Sequence, residues 1–246
     1  MLSSSFDILV FVAALLSGAI ASIAGFGIGS ILTPLLAIRL GTKLAVAVVS
    51  FPHFIATLLR YLLVREHLDR RVLVNFGISS ALGGLTGALL HSRFNSAILG
   101  YVLASLLLFA SVMGLTGLAK RMRFGHVTGY IAGALSGLFG GLVGNQGGIR
   151  SAALMGFDID KQAFVATATA IGLVVDAFRM PVYIATQWQA ISEQWFPMLI
   201  ASVGVIIGTL AGKRALERIP DHVFRTVVYV IILGLGIAMF LHPAGK

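Results

Sequence analysis

The chain alternates long apolar stretches with short clusters of charged residues. A helix rises about 1.5 Å per residue, so roughly 20 apolar residues cross the hydrocarbon core of a bilayer, which is about 30 Å thick. Eight stretches reach or approach this length: 7–24, 43–63, 72–90, 96–118, 127–143, 161–186, 195–212 and 223–241. The pattern predicts an all-α polytopic membrane protein with about eight spanning helices.

Two shorter apolar stretches, 28–39 and 147–157, each follow a cluster of glycines. Neither is long enough to cross the bilayer as a helix, so each is predicted to be a half-helix or a re-entrant segment. Because lipid cannot satisfy the polar groups of non-helical backbone, the glycine breaks must face protein or water.

Composition excludes a soluble globular protein. Apolar residue types make up 58% of the chain, charged types only 11%, and the mean hydropathy is +0.97, whereas soluble domains average about 25% charged residues. No connection between apolar stretches is long enough to form a separate domain. The chain has no cysteine, which excludes thiolate catalysis, disulfides and thiolate metal sites.

The two halves, 1–122 and 123–246, look like repeats within one membrane domain. Six equivalences carry this prediction, four at an offset of 119 and two at 121: Leu16-Ser17-Gly18 with Leu135-Ser136-Gly137, Gly25 with Gly144, Gly29 with Gly148, Arg60 with Arg179, Gly87 with Gly208 and Arg93 with Arg214.

Basic residues indicate that the repeats are inverted. Lys and Arg near membrane segments favour the cytoplasmic side. An odd number of crossings per half places the connections 64–71, 119–126 and 213–222 inside together with Lys161, with ten basic residues inside and four outside. An even number gives seven against seven. The inverted arrangement, with both termini extracytoplasmic, is typical of secondary transporters whose broken segments meet near the midplane.

The glycine clusters predict an anion site. Gly25, Gly27 and Gly29 form the first cluster, and the second contains Gly144, Gly147 and Gly148. A half-helix that begins after a break points its positive end and its free N–H groups at the break, where they can bind an anion. Close helix packing through small residues is the alternative.

Asn145, Gln146 and Arg150 add side-chain donors to the second cluster. We expect the Arg150 guanidinium to complete a cage of N–H groups around an anion. Alternatively, Arg150 extends to the membrane interface or neutralises Asp158 or Asp160. The first repeat has Gly27 and Ile31 in place of Gln146 and Arg150, which predicts one substrate in an asymmetric pocket.

Four more ionisable residues lie within apolar stretches, where charges are costly and usually face a cavity or a partner. Arg60 and Arg179 are candidate anion-binding residues, although Arg60 is close enough to a basic loop to reach the interface. Arg179 has Asp176 three residues before it on the same helical face, so a structural ion pair is the alternative. His53 and Asp176 are candidates for proton coupling, and a structural histidine is the alternative for His53.

Other classes of function have little support in the sequence. It contains no zinc, phosphate-loop or nucleophile-elbow motif, and its histidines lack metal-ligand spacing, so we expect no enzymatic activity, no cofactor and no metal. Its basic residues flank membrane segments, which argues against nucleic acid as a partner.

The duplicated motif resembles the sulfite exporter TauE/SafE family. It runs through Leu16-Ser17-Gly18, Gly25-Phe26-Gly27-Ile28-Gly29 and Pro34-Leu35, and returns in weaker form as Leu135-Ser136-Gly137 and Gly144-Asn145-Gln146-Gly147-Gly148. The resemblance implies a multi-pass inner-membrane transporter for sulfite, sulfonates or related sulfur oxyanions or carboxylates, with no ATPase subunit. Ile28, Ser30 and Ala153 depart from the family pattern beside the expected ligand.

The sequence therefore predicts a secondary transporter of a small anion, embedded in the lipid bilayer, and it leaves a homo-oligomer open as the assembly. An anion channel, an intramembrane enzyme and a non-transporting scaffold are the alternatives.

Overall fold

The computed structural model describes residues 4–118, 126–154, 157, 159–216 and 220–243, and within these ranges the regular structure is entirely helical. Within the described residues the α-helices are α1 (Ser4–Ala24), α2 (Ile28–Val64), α3 (Arg70–Arg93), α4 (Ser96–Thr116), α5 (His126–Val143), α6 (Gly147–Leu154), α7 (Lys161–Ser192), α8 (Trp195–Leu216) and α9 (Asp221–Leu241). A 3₁₀ turn, Arg65–His67, follows α2.

Seven helices in the described ranges are long and apolar enough to cross a membrane, namely α1, α2, α3, α4, α7, α8 and α9. The eighth predicted span, 127–143, is α5, whose apolar part Thr128–Val143 is shorter than the others. The polytopic, all-helical prediction is confirmed.

The predicted breaks are present. Gly25 and Gly144, at matching repeat positions, both have positive φ angles, 77° and 71°. Helix α2 has non-helical backbone at Gly41, which divides it into α2a (28–40) and α2b (42–64), so the predicted short segment 28–39 is α2a. The other short segment is α6, which begins at Gly147 as expected; residues 155–156 of the prediction lie outside the described ranges.

Helix packing follows a pseudo-two-fold arrangement. The first helix of each half packs mainly on a helix of the other half: α1 packs on α8, and α5 packs on α3. Helices α3 and α8 hold equivalent places, because each is the fourth element of its half when α2a and α2b are counted separately. Helices α2 and α7 pack on each other, and so do α4 and α9. The boundary predicted between residues 122 and 123 lies outside the described ranges and stays a prediction.

Glycines mediate these contacts and show the direction of the helices. Along α5, Gly133, Gly137 and Gly141 pack in turn against Phe76, Ser80 and Gly84 of α3, so α3 and α5 run parallel. Along α8, Gly204, Gly208 and Gly212 pack in turn against Ala14, Leu15 and Ala19, so α1 and α8 also run parallel.

The two halves are inverted relative to each other. His53 contacts Asp176 and Arg60 contacts Thr169, so α2b and α7 run antiparallel. Each continues through a short connection into a helix that returns, α3 or α8. Helices α3 and α8 therefore point in opposite directions, and so do α1 and α5, which run parallel to them.

Candidate functional site

The two glycine breaks meet at the centre of the molecule. A side chain at Gly29 would overlap the Gly144 carbonyl oxygen, and one at Gly147 would approach the Phe26 Cβ to 2.5 Å. Ser30 donates a hydrogen bond to Asn145 Oδ1 at 3.3 Å. Glycine allows this close approach because it lacks a Cβ. This contact agrees with the expectation that inverted repeats bring their broken segments together.

The N-termini of α2a and α6 face one small cavity between the breaks. Their first turns begin at equivalent positions, since Ile31 donates to the Gly27 carbonyl and Arg150 donates to the Gln146 carbonyl, each at 3.0 Å. The N–H groups between these residues precede the first N–H that bonds within each helix, so the helix itself offers them no acceptor. The cavity is lined by Phe26, Gly27, Gly29, Ser30, His53, Gly144, Asn145, Gln146, Gly147 and Arg150.

The cavity is small, with a volume of about 10 Å³, roughly the space of one water molecule. Two positive helix ends therefore converge on a narrow site whose polar side chains are buried. Helix N-termini favour anions, and low polarity strengthens that preference.

Four side-chain donors at this cavity have no hydrogen-bond partner among the described residues: Asn145 Nδ2, Gln146 Nε2, Arg150 Nε and Arg150 Nη1. The three side chains are only 6%, 3% and 2% exposed. Gln146 Oε1 is also unpaired. Burying an unsatisfied polar group costs about 1–3 kcal/mol, and more if it is charged. The site is complete only when a ligand supplies acceptors.

The remaining Arg150 nitrogen, Nη2, donates to the Gly25 carbonyl at 3.0 Å, which links the two breaks. The alternative position for Arg150, at the membrane interface or beside Asp160, is wrong. Asp160 instead accepts from the Gln162 and Ala163 N–H groups at the start of α7, each at 2.8 Å. Asp158 lies outside the described residues.

A chain of polar contacts extends from the cavity into α7. His53, whose side chain is 12% exposed, lines the cavity and places Nδ1 2.6 Å from Asp176 Oδ2. Asp176 Oδ1 accepts from Arg179 Nε at 2.9 Å and lies 2.8 Å from Arg179 Nη2. The Asp176–Arg179 ion pair considered from the sequence is therefore confirmed, and it also includes a histidine that is remote in sequence.

The matched arginines have matched contacts. Arg60 Nη1 donates to the Ala21 carbonyl at 2.6 Å, and Arg179 Nη1 donates to the Gly140 carbonyl at 2.7 Å. These two carbonyls are 119 residues apart, and each also accepts the N–H of the positive-φ glycine four residues later. Both guanidinium groups thus bind the negative C-terminal end of a helix, α1 or α5, immediately before its break.

These contacts contradict the alternative in which the Arg60 side chain reaches the membrane interface. Its side chain does not reach the interface, because it is only 5% exposed and also donates from Nε to Thr169 Oγ1 at 2.8 Å. Arg60 and Arg179 do not line the cavity between the breaks. Their part in anion binding stays a prediction, and it would act through positive potential rather than direct contact.

Buried positive charge exceeds buried negative charge around the site. Asp176 is paired with Arg179, but Arg60 and Arg150 have no carboxylate partner within the described part of the chain. Uncompensated buried charges are expensive. An anion in the cavity would supply the missing negative charge beside Arg150.

Sequence reasoning missed several residues of this region. Ser30 lines the cavity, Thr169 supports Arg60, and Tyr183 donates its hydroxyl proton to the Gly141 carbonyl beside Arg179. Ser30 could have been identified from the sequence, because it is a polar residue that departs from the glycine pattern at the break. Nothing in the sequence marks Thr169 or Tyr183, since a single small hydroxyl residue or a single aromatic residue is common in an apolar stretch.

Comparison with known proteins agrees with the geometry. The family model described as Sulfite exporter TauE/SafE matches residues 10–239, which include both breaks and both halves. No curated protein and no solved structure matches the chain significantly. The chain therefore belongs to the sulfite exporter TauE/SafE family, a family of membrane transporters for sulfur anions such as sulfite, and is a multi-pass membrane protein.

Proposed function

We propose that this protein is a secondary transporter of the inner (plasma) membrane, which binds one small oxyanion between α2a and α6 near the middle of the bilayer. The observation that carries the proposal is the convergence of two helix N-termini and four unpaired donor groups on one cavity. Sulfite, sulfate, thiosulfate, organosulfonates and short carboxylates present oxygen acceptors and negative charge of the kind that this donor set lacks.

Each part of the site has a separate task in binding. The backbone N–H groups at the starts of α2a and α6 are held by rigid helices and need no reorganisation. Arg150 offers charged N–H donors at Nε and Nη1, which point in different directions because Nη2 between them binds the Gly25 carbonyl. Asn145 and Gln146 come from one half only, so the anion is held asymmetrically although the scaffold is nearly symmetric.

Transport follows from the inverted halves. When one half rocks against the other, a site at their interface opens to one face of the membrane and then to the other. The cavity is now about the size of one water molecule, so the ends of α2a and α6 must separate slightly to admit an oxyanion. The structure therefore corresponds to a contracted state of the proposed cycle.

The first test measures thermal unfolding of the purified protein with each of these anions, with chloride as reference. A ligand that binds only the folded state at about 100 times its Kd adds about 2.7 kcal/mol. Gln146→Glu should abolish this stabilisation, because it places a carboxylate among donors intended for an anion. The control Gln189→Glu, on an exposed part of α7, should retain it. No stabilisation by any of the anions in the unaltered protein would refute the proposed function.

We also propose that His53 couples anion movement to protons. Its Nδ1 is held by Asp176, and its ring lines the anion cavity. Protonation adds a positive charge facing the anion, so anion and proton stabilise each other's binding. The other charged groups facing His53 are Asp176 and Arg179 on α7 and Arg150 on α6, and none of these changes its charge as readily near neutral pH.

The coupling test uses proteoliposomes that contain a pH-sensitive dye. An anion gradient should drive proton movement in the same direction as the anion, and anion binding should tighten as pH falls. His53→Gln should remove the proton movement, whereas His67→Gln, in the exposed 3₁₀ turn, should not. Unchanged proton movement in His53→Gln protein would refute the coupling but leave anion transport intact.

A further inference from the structure

A second cavity, here called the vestibule, lies beside the anion cavity. It is formed by the end of α1, the break before α2a, helix α6 and the first turns of α7 and α9, and its lining includes Phe26, Ser151, Lys161, Val165, Arg225 and Tyr229. Its volume is about 40 Å³, compared with about 10 Å³ for the anion cavity. Within the described residues, Ser151 Oγ is buried there without a hydrogen-bond partner.

Phe26 separates the two cavities, because it lines both. Its ring stacks on Tyr229 at a centroid distance of 5.9 Å and an interplanar angle of 30°. Phe26 lies between Gly25 and Gly27, whose φ angles are 77° and 132°. Glycines with such φ angles allow the backbone to change direction on both sides of Phe26. A tilt of α2a about these glycines would therefore carry the Phe26 ring away from Tyr229.

The equivalent region of the other half is packed shut. Two alignments identify the equivalent residues. The offset of 119 relates the vestibule residues Ser151, Lys161 and Val165 to Leu32, Thr42 and Val46. Aligning α9 with α4 by their first residues relates Phe224 and Val228 to Leu99 and Leu103. All five first-half residues are at most 1% exposed. Leu32, Leu99 and Leu103 belong to the main apolar core. The pseudo-symmetry is therefore broken at this feature: one half has a cavity where the other has core.

We infer that the vestibule is the entrance through which the small oxyanion reaches the site from the membrane face where α7 and α9 begin, and that Phe26 is its gate. The packed equivalent is the closed entrance from the opposite face. This inference rests on the proposed function. Rocking of the inverted halves would exchange the two arrangements, with the packed region opening as the vestibule closes.

Charge supports an anion as the species that enters. Lys161 and Arg225 line the vestibule, and cations at the mouth of a low-dielectric cavity raise the local concentration of anions. Their equivalents on the packed side, Thr42 and Gly100, are uncharged and contact each other. We therefore expect anions to be attracted more strongly to the face where α7 begins.

The test uses single cysteines, because the chain contains none. Val165→Cys, in the vestibule, and Val46→Cys, its packed equivalent, form a matched pair with the same chemical change. In vesicles of each orientation, a charged membrane-impermeant thiol reagent should label Val165→Cys from the face where α7 begins, and an anionic reagent should react faster than a cationic one. Val46→Cys should stay unlabelled from that face.

A second matched pair repeats the comparison if either valine variant fails to fold: Phe164→Cys, in the vestibule lining, and Ala45→Cys, at its buried equivalent. Equal labelling within a pair from that face, or no labelling of either vestibule cysteine from any face, would overturn the inference. Because labelling requires no ligand, this result is independent of the thermal test for anion binding.

The gate is tested with Ser30→Cys, a cysteine on the wall of the anion cavity. Removing the aromatic contact by adding Phe26→Ala should speed its labelling from the vestibule face by about fivefold, whereas Phe26→Leu should change it less. Labelling of Val165→Cys should not depend on Phe26. An unchanged Ser30→Cys rate in the Phe26→Ala protein would overturn the assignment of Phe26 as the gate.

Discussion

Two buried arginines illustrate how the same residue type takes different roles. Every nitrogen of the Arg179 guanidinium has a partner: Asp176 neutralises the charge and contacts Nε and Nη2, and the Gly140 carbonyl accepts from Nη1. Among the described residues, the Arg150 side chain donates only to the Gly25 carbonyl and keeps two unpaired nitrogens beside the cavity. A buried arginine that has all its partners stabilises the fold, whereas one that lacks them is available to a ligand.

This difference predicts opposite effects on stability. Asp176→Asn should destabilise the protein by roughly 3–5 kcal/mol, because it leaves Arg179 buried without its counterion. Arg150→Met should not lower the stability of the ligand-free protein, because it removes a buried charge that has no carboxylate partner in the described ranges. Thermal unfolding in detergent measures both, and Arg150→Met should also lose stabilisation by anions. Strong destabilisation of ligand-free Arg150→Met protein would show that Arg150 is structural.

Glycines serve two distinct purposes in the helices. Gly25 and Gly144 have positive φ angles that end α1 and α5 and allow the chain to turn into the half-helices. Gly18 and Gly137 instead lie within helices, and a Cβ there would meet the backbone of Val205 or Ser80 in the neighbouring half. The packing role considered from the sequence therefore applies to the helix interfaces, while the breaks use glycine for its backbone conformation.

A matched pair of substitutions tests the packing role. Gly137→Ala should destabilise the protein by about 1–3 kcal/mol, because the added methyl group forces α3 and α5 apart. Gly234→Ala, on an exposed part of α9 with no atom within 4 Å of the added carbon, should be neutral or stabilise by up to about 1 kcal/mol. Chemical or thermal unfolding of both variants gives the comparison. Equal effects would mean that the interface adjusts to the methyl group.

Helix boundaries were well predicted where the membrane dictates length. The predicted stretch 161–186 ends one residue before the non-helical Gln187 within α7, and the predicted start at 147 is the first residue of α6. The break at Gly41 was also predicted, since the short stretch 28–39 and the spanning stretch 43–63 correspond to α2a and α2b. Arg39 and Lys43 interrupt the apolar run on either side of this glycine, which makes the break visible in the hydropathy.

Across the whole molecule, the inverted packing relates the two halves but does not say which face is cytoplasmic. The basic residues make that assignment, because the inverted topology places ten of them inside. We predict that a reporter fused to the C-terminus is extracytoplasmic and that one inserted after His67 is cytoplasmic. The opposite result for both would reverse the faces of the vestibule and its packed equivalent, and a cytoplasmic C-terminus alone would contradict inverted insertion.

Much of the architecture follows from the sequence alone. The bilayer requires about 20 apolar residues per crossing, so composition and spacing determined the membrane class, the helices and the two short segments. The repeat offset brought the two glycine breaks into correspondence, and the motif around them indicated the family that the comparison confirmed. Asn145, Gln146 and Arg150 stood out because polar groups are rare at such depth.

Only the tertiary structure decided the partners of those polar groups. His53 meets Asp176 across 123 residues of chain, and Arg60 meets the end of α1 rather than the nearby interface. Such contacts depend on how helices from different halves are oriented, which local hydropathy does not encode. The unequal packing around Phe26 is of the same kind. The two repeats predict equivalent surroundings, but the packing of α4 and α9 against the breaks leaves the vestibule in one half and apolar core at the equivalent residues of the other.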